Sequence, residues 1–67
     1  MISVRVNSED RPVGEDTTVH DLLENMGFDV SRVAVEINGL ICPKARFQER
    51  MLEDGDKLEV VSFVGGG

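Results

Sequence analysis

An amphipathic helix is the feature that most constrains how this 67-residue chain can fold. Four apolar residues are spaced i, i+3, i+4 and i+7, which places them on one helical face: Val19, Leu22, Leu23 and Met26. Thr18 is the predicted N-cap, and Asp21 stands where a capping box has its acid. Gly27 is predicted as the left-handed residue that ends the helix. Because a single apolar stripe must pack on another apolar surface, the remaining residues have to supply a sheet.

Segments of strand character lie on both sides of the predicted helix. They are residues 2–7, 11–13, 33–37, 40–41 and 58–64. A turn at Ser8-Glu9-Asp10 is predicted to join the first two strands, and Pro12 marks the second as an edge strand. Asn38-Gly39 predicts a two-residue type I′ turn between the third strand and the fourth, since this turn needs φ > 0 twice.

This order of elements predicts an α+β protein with a β-grasp fold. We expect a mixed sheet of about five strands with one main helix packed on one face. Residues 44–56 are predicted to be a polar connection that Phe47 and Leu52 anchor in the core. Residues 1–64 would form the domain, and residues 65–67 a flexible C-terminal glycine tail.

The charge balance bears on the partners of the chain. Its net charge of −6 makes a nucleic-acid partner unexpected, because nucleic acids attract basic surfaces. No apolar run approaches the roughly 20 residues of a membrane span. The first ten residues, MISVRVNSED, lack the pattern of a signal peptide. We therefore expect a cytoplasmic protein without a membrane partner, and a monomer when it is free.

No catalytic residue and no metal site is predicted. His20 and Cys42 are the only histidine and the only cysteine of the chain. An isolated imidazole on the polar side of the helix is expected to be a solvated surface group. A lone thiol beside Pro43 is expected to be a small buried hydrophobe. The sequence thus predicts a protein that is not an enzyme and that binds no cofactor of its own.

The candidate functional residues lie in the last seven residues, VSFVGGG. Alternation along the last strand places Val61 and Phe63 on the sheet face that the helix does not cover. They are either a docking patch or ordinary exposed apolar residues. Val64 and the glycines that follow it could carry a terminal carboxylate into a channel too narrow for side chains, or they could be a frayed end.

The chain as a whole resembles the ThiS family, the sulfur carrier proteins of thiamine biosynthesis. The resemblance rests on TTVHDLLENMG, VAVEINGLICPKARF and LEDGDKLEVVSFVGGG, together with a strand that opens at Met1-Ile2. The resemblance implies a ubiquitin-like β-grasp fold, which this family shares with the small subunit of molybdopterin synthase and with ubiquitin itself. Gly66 and Gly67 match the terminal glycine pair of the family, and Gly65 is an additional glycine.

The resemblance implies that the chain is a protein cosubstrate. A ThiF-type adenylyltransferase would use ATP and magnesium to adenylate the carboxylate of Gly67. Sulfur from a donor such as a cysteine desulfurase would convert it to a thiocarboxylate, and the thiazole synthase ThiG would take that sulfur for the thiazole of thiamine. Sulfur delivery to molybdopterin or tRNA, attachment to other proteins as a modifier, and a noncovalent ubiquitin-like adaptor are the alternatives.

Overall fold

The structure is a computed structural model and describes residues 1–63. Its elements are β1 (Ile2–Val6), β2 (Glu9–Val13), α1 (Val19–Asn25), β3 (Val33–Ile37), β4 (Leu40–Cys42) and β5 (Lys57–Ser62), with 3₁₀ turns at Val30–Arg32 and Lys44–Arg46. The strands form one sheet in the order β2-β1-β5-β3-β4. Because β1 and β5 are parallel and the other neighbours antiparallel, the predicted mixed five-stranded sheet is confirmed. The predicted tail, residues 65–67, lies outside the described residues, as does Val64.

Helix α1 begins and ends as its sequence predicts. The Asp21 amide donates to Thr18 Oγ1 at 3.1 Å, and the Thr18 amide donates to Asp21 Oδ2 at 3.2 Å, which completes a capping box. Gly27 has φ +84°, in the left-handed region. The Phe28 amide then donates to the Leu23 carbonyl at 3.0 Å. This hydrogen bond, from the residue after the left-handed glycine back to the last turn of the helix, defines a Schellman cap.

The core lies between α1 and one face of the sheet. Its buried apolar residues are Val4, Val6, Val19, Leu22, Leu23, Val33, Val35, Ile37, Phe47, Leu52, Leu58 and Val60. The two predicted anchors of the long connection, Phe47 and Leu52, are 1% and 3% exposed. Within residues 1–63, no helix has the length and apolar character needed to cross a bilayer.

The other face of the sheet stays uncovered, and we call it the open face. Strand register and alternation assign to it Ser3, Arg5, Asp10, Pro12, Ala34, Glu36, Ile41, Lys57, Glu59 and Val61. All of these residues are exposed.

The first hairpin turns earlier than predicted. The turn residues are Asn7 and Ser8, with φ of 49° and 74°, while Glu9 and Asp10 already belong to β2. The prediction of a turn at residues 8–10 was therefore wrong. The Asn7 side chain explains the difference, because its Nδ2 donates to the Val60 carbonyl at 3.1 Å and its Oδ1 accepts from the Val60 amide at 2.8 Å. Two hydrogen bonds to β5 hold Asn7 in a left-handed conformation that Asn tolerates.

The second hairpin is confirmed, and its turn is tied to a buried acid. Asn38 and Gly39 have φ of 53° and 85°, as the predicted type I′ turn requires. Asn38 Nδ2 donates to Asp56 Oδ1 at 3.0 Å, and Asp56 is only 5% exposed. The sequence indicated a simple turn at Asp54-Gly55-Asp56, and the buried role of Asp56 was not predicted.

Candidate functional site: the open face and the end of β5

Strand β5 presents the two predicted contact residues to solvent. Val61 is 58% exposed and Phe63 is 55% exposed. The Phe63 amide donates to the Arg32 carbonyl at 2.7 Å, so the backbone stays in line with β3 beyond the end of β5. Alternation therefore puts Phe63 on the same side of the sheet as Val61, which is the side that the sequence predicts.

Further apolar residues, which the sequence analysis did not single out, share this face. Val61 is paired with Ala34 of β3, and Ile41 of β4 is 77% exposed. Ala34, Val61 and Phe63 lie where β5 ends, and Ile41 lies beside Glu36, level with the middle of β5. We call these four residues the apolar strip. The alternation within each strand was readable from the sequence. The register that aligns β3, β4 and β5 joins residues far apart in the chain, and no local signal encodes it.

The opposite end of the open face is charged. Arg5 Nε lies 3.0 Å from Asp10 Oδ1, directly across the β1–β2 pair. A hydrogen bond from Arg5 lowers the pKa of Asp10, and the Coulomb attraction of its guanidinium adds to this effect. Lys57 of β5 is the parallel partner of Arg5 in the register. The open face thus has a polar end near the start of β5 and an apolar end near Phe63.

Strand β5 is the central strand of the sheet. It pairs with β1 on one side and with β3 on the other, so its backbone hydrogen-bonds both ways. The predicted site residues Gly65, Gly66 and Gly67 and the adjoining Val64 lie outside the described residues, and their roles stay predictions. The structure does describe β5, which leads into these residues and is held between β1 and β3.

The two side chains considered for chemistry do not come together in an active site. His20 Nε2 lies 3.7 Å from Glu24 Oε2, one turn along α1. The His20 side chain is 24% exposed, so the expected surface histidine reaches solvent but is only partly solvated. The His20 amide donates to the Phe47 carbonyl, which holds this part of α1 against the long connection.

Cys42 is half-buried in edge strand β4. Burial raises the pKa of its thiol, and the nearby Arg50 and Arg46 oppose this only in part. A thiol with a raised pKa is a weak nucleophile at neutral pH. Among residues 1–63, no three His, Cys, Asp or Glu side chains are grouped so that they could hold a metal ion.

The mixed sheet, the single-helix core and the exposed apolar strip beside the end of β5 define a ubiquitin-like β-grasp protein. The model of the ThiS family matches residues 4–67, and the chain belongs to this family. It is 40% identical to the sulfur carrier protein ThiS of Bacillus subtilis over 65 residues, which are 96% of this chain and 98% of that protein. A crystal structure of the thiamine biosynthesis protein ThiS from Geobacter metallireducens superposes with a TM-score of 0.82 at 30% identity, and the match covers 98% of this chain and 100% of that one.

A larger protein also contains a related segment. The chain is 45% identical over 62 residues to a thiazole synthase of Paramagnetospirillum magneticum. The match covers 92% of this chain but only 19% of that protein, so the chain spans about a fifth of the length of this relative.

Proposed function

We propose that this chain is a sulfur carrier of thiamine biosynthesis that acts through the carboxylate of Gly67. The observation that supports the proposal most strongly is the ThiS family match, which runs through the terminal Gly66-Gly67 pair. The chain is then a substrate of other enzymes and supplies no catalytic group. A cytoplasmic location and a monomeric free state remain predictions.

The proposed chemistry follows from the weakness of a carboxylate as an electrophile. A ThiF-type adenylyltransferase with ATP and magnesium would let an oxygen of the Gly67 carboxylate attack the α-phosphorus, and pyrophosphate would leave. The outer sulfur of a persulfide, supplied from a cysteine desulfurase or a related donor, would then attack the acyl adenylate and displace AMP, which gives an acyl disulfide. A thiol would cleave the S–S bond of that acyl disulfide, and the products would be the thiocarboxylate and a new disulfide. Glycine suits the last positions because a backbone without Cβ atoms can enter a narrow channel.

The acceptor of the sulfur is proposed to be the thiazole synthase ThiG. The support is that thiazole synthases contain a segment similar to this chain, with 45% and 33% identity in two cases. Two activities encoded in one protein are commonly consecutive in one pathway. Sulfur delivery to molybdopterin or tRNA is the alternative, and it shares the steps at Gly67.

Intact-protein mass spectrometry tests the carrier role. After incubation with a ThiF-type enzyme, ATP, magnesium and a sulfur donor, we expect an AMP adduct or a mass gain equal to oxygen replaced by sulfur. Deletion of Gly67 should abolish both products. Gly14→Ala is the matched control, since its φ is not positive and an added Cβ would lie 3.5 Å from Thr17 Oγ1, an ordinary contact. Products that persist after deletion of Gly67 would contradict the proposal.

We further propose that Val61 and Phe63 contact the adenylyltransferase. Both side chains are more than half exposed, at 58% and 55%, so they retain apolar area that a partner can bury. Val61→Ser and Phe63→Ser should each raise the KM for the chain roughly tenfold, the effect of losing a well-packed contact. The matched control is Leu40→Ser, because Leu40 is 74% exposed but lies on the other face by alternation with Ile41. If all three variants raise the KM equally, the open face is not part of the interface with the adenylyltransferase.

A noncovalent ubiquitin-like adaptor is the second candidate, and the exposed apolar strip on the open face is the observation that favours it. In that case a chain that lacks Gly67 would bind its partner as tightly as the intact chain. Val61→Ser and Phe63→Ser would weaken that binding, and no mass change would appear in the adenylation assay.

A further inference from the structure

The turn between β3 and β4 contains an Asn-Gly pair, Asn38-Gly39, in which the asparagine is chemically reactive as well as suited to the turn. Asparagine is thermolabile because the next backbone nitrogen can attack its side-chain carbonyl carbon. Glycine at the next position favours this attack, since it has no Cβ to hinder its nitrogen. Both residues are exposed, so water reaches the turn. The pair is therefore a candidate site of spontaneous chemical modification.

The reaction needs only water besides the chain itself. The Gly39 nitrogen forms a bond to Asn38 Cγ, the bond from Cγ to Nδ2 breaks, and Nδ2 leaves as ammonia with the proton of the Gly39 amide. Water then opens the cyclic imide at one of its two carbonyl carbons. Residue 38 becomes aspartate, or it becomes isoaspartate, in which the main chain runs through the side-chain carbon.

The folded structure holds both ends of the Asn38 amide group. Asn38 Nδ2 donates to Asp56 Oδ1 at 3.0 Å, and Asn38 Oδ1 accepts from the Lys57 amide at 3.0 Å. The Asn38 backbone amide also donates to the Lys57 carbonyl at 2.8 Å. Ring closure makes Cγ and the Gly39 nitrogen bonded atoms, so the side chain must leave Asp56 and the turn must change its main-chain torsion angles. Attack therefore has to wait until these hydrogen bonds break.

Either product would fit the folded structure poorly. Aspartate at position 38 would place a carboxylate oxygen where an N–H now faces Asp56, which is only 5% exposed. Arg50 Nη2 lies 3.1 Å from Asp56 Oδ2, so two carboxylates would share the guanidinium that now faces one. Like charges at this distance repel each other strongly where water is partly excluded. Isoaspartate would lengthen the main chain of a two-residue turn whose register pairs Ile37 with Leu40.

We propose that Asn38 is a deamidation site that the fold protects, and that deamidation irreversibly destabilises the chain. The hydrogen bonds from Asn38 to Asp56 and Lys57 protect the side chain as long as they persist. A chain that opens at this turn can react, and it then lacks the contact that ties the turn to the start of β5. The proposal concerns the domain alone and does not depend on the carrier function.

Peptide mapping by mass spectrometry tests the protection. The full chain is incubated at mildly alkaline pH, in buffer and in denaturing urea, and deamidation is read at each asparagine as the mass gain of NH replaced by O. At Asn38 the rate in buffer should be at least about tenfold lower than in urea, because attack requires the loss of two side-chain hydrogen bonds. Asn25, which precedes Met26 instead of glycine, should react slowly in both.

A synthetic peptide of residues 35–42 shows whether urea itself changes the chemistry. This peptide cannot form the contacts to Asp56 and Lys57, so its rate should be the same with and without urea and should match that of the unfolded chain. Equal rates at Asn38 in the folded and the unfolded chain, or no reaction in the unfolded chain, would overturn the proposal.

Urea unfolding of Asn38→Asp measures the effect of the aspartate product. Its midpoint should fall, whereas Gln48→Glu, the same change of charge at an exposed residue, should leave the midpoint nearly unchanged. Asn38→Asp combined with Asp56→Asn exchanges the donor and the acceptor. The amide at position 56 can then donate to the carboxylate at position 38, while its oxygen still faces the Glu53 amide and Arg50.

The double variant should therefore be more stable than either single variant, which is the coupling expected of two groups in direct contact. This result would show that the repulsion between positions 38 and 56, and not the loss of a good turn residue, destabilises the deamidated chain. A double variant no more stable than Asp56→Asn alone, or an Asn38→Asp midpoint equal to that of Gln48→Glu, would contradict the proposed destabilisation.

Discussion

The buried carboxylate of Asp56 connects three parts of the chain at the start of β5. Its Oδ1 accepts from Asn38 Nδ2 at 3.0 Å, in the turn between β3 and β4. Its Oδ2 accepts from the Glu53 amide at 2.8 Å and lies 3.1 Å from Arg50 Nη2. Three donors thus converge on two oxygens of a residue that is 5% exposed. We predict that Asp56→Asn, which changes the charge but hardly the shape, destabilises the fold strongly.

The magnitude follows from what an amide can offer these donors. Asparagine has one acceptor oxygen, and its NH₂ group must face at least one of the three donors. Removing one partner of a buried ion pair costs about 3–5 kcal/mol, and a buried donor without an acceptor costs about 1–3 kcal/mol. The Arg50 side chain is 31% exposed and can turn to water, which reduces the cost. We therefore expect a loss of about 2–3 kcal/mol, against a total of about 3–10 kcal/mol for a chain of this length.

Urea unfolding followed by far-UV circular dichroism measures this loss, since the chain has no Trp or Tyr for fluorescence. The midpoint for Asp56→Asn should fall while the slope m stays unchanged. The control is Asp16→Asn, because Asp16 is exposed and forms no ion pair with the residues that the structure describes. The control should stay within about 0.5 kcal/mol of the unaltered chain. A loss below about 1 kcal/mol for Asp56→Asn would refute the view that these donors depend on the Asp56 charge.

Three other predictions concern local features. Gly27→Ala should cost about 1–2 kcal/mol in urea unfolding because Gly27 has φ +84° with open space around it, whereas Gly14→Ala should be nearly neutral. Burial raises the pKa of the Cys42 thiol, so iodoacetamide at neutral pH should alkylate it more slowly than a cysteine peptide, and the two rates should converge in denaturing urea. The Ser31 hydroxyl, followed by the Ser31 amide, lowers the pKa of Asp29. Since the folded pKa lies below the unfolded value, Asp29 contributes stability above its unfolded pKa, and this is lost as the pH falls through the folded pKa. Ser31→Ala should raise the pKa of Asp29 in a carbon-detected NMR titration, and the chain should then lose less stability as the pH falls. An unchanged Asp29 pKa would contradict the assignment.

Features of the fold that arise within short segments could be predicted from the sequence. The caps of α1 at Thr18 and Gly27 and the turn at Asn38-Gly39 depend on residues a few positions apart, and all three are confirmed. Alternation in β5 likewise gave the exposed face of Val61. In each case the preferred conformation of the residues agrees with the final packing, so a local argument is sufficient.

Features that depend on contacts between distant segments could not be predicted. The first turn lies at Asn7 because its side chain bonds to Val60, which is 53 residues away in the chain. Asp56 is buried because Asn38, 18 residues earlier, offers it a donor. The opposition of Glu36 and Glu59 depends in the same way on the register between β3 and β5. A one-residue slip of that register would separate the pair, and composition alone cannot determine it.

These distant contacts share a location that matters for the proposed function. The ties from Asp56, Asn7 and Arg32 reach the start, the middle and the end of β5 respectively. A partner that binds the open face can position the end of the chain accurately only if β5 is held rigidly within the domain. The side-chain bonds add to the backbone pairing that β5 already has on both edges. The side-chain contacts of Asp56 and Asn7 therefore help to fix the strand that precedes Gly67, and the proposed reaction at Gly67 is the reason such a strand would need to be rigid.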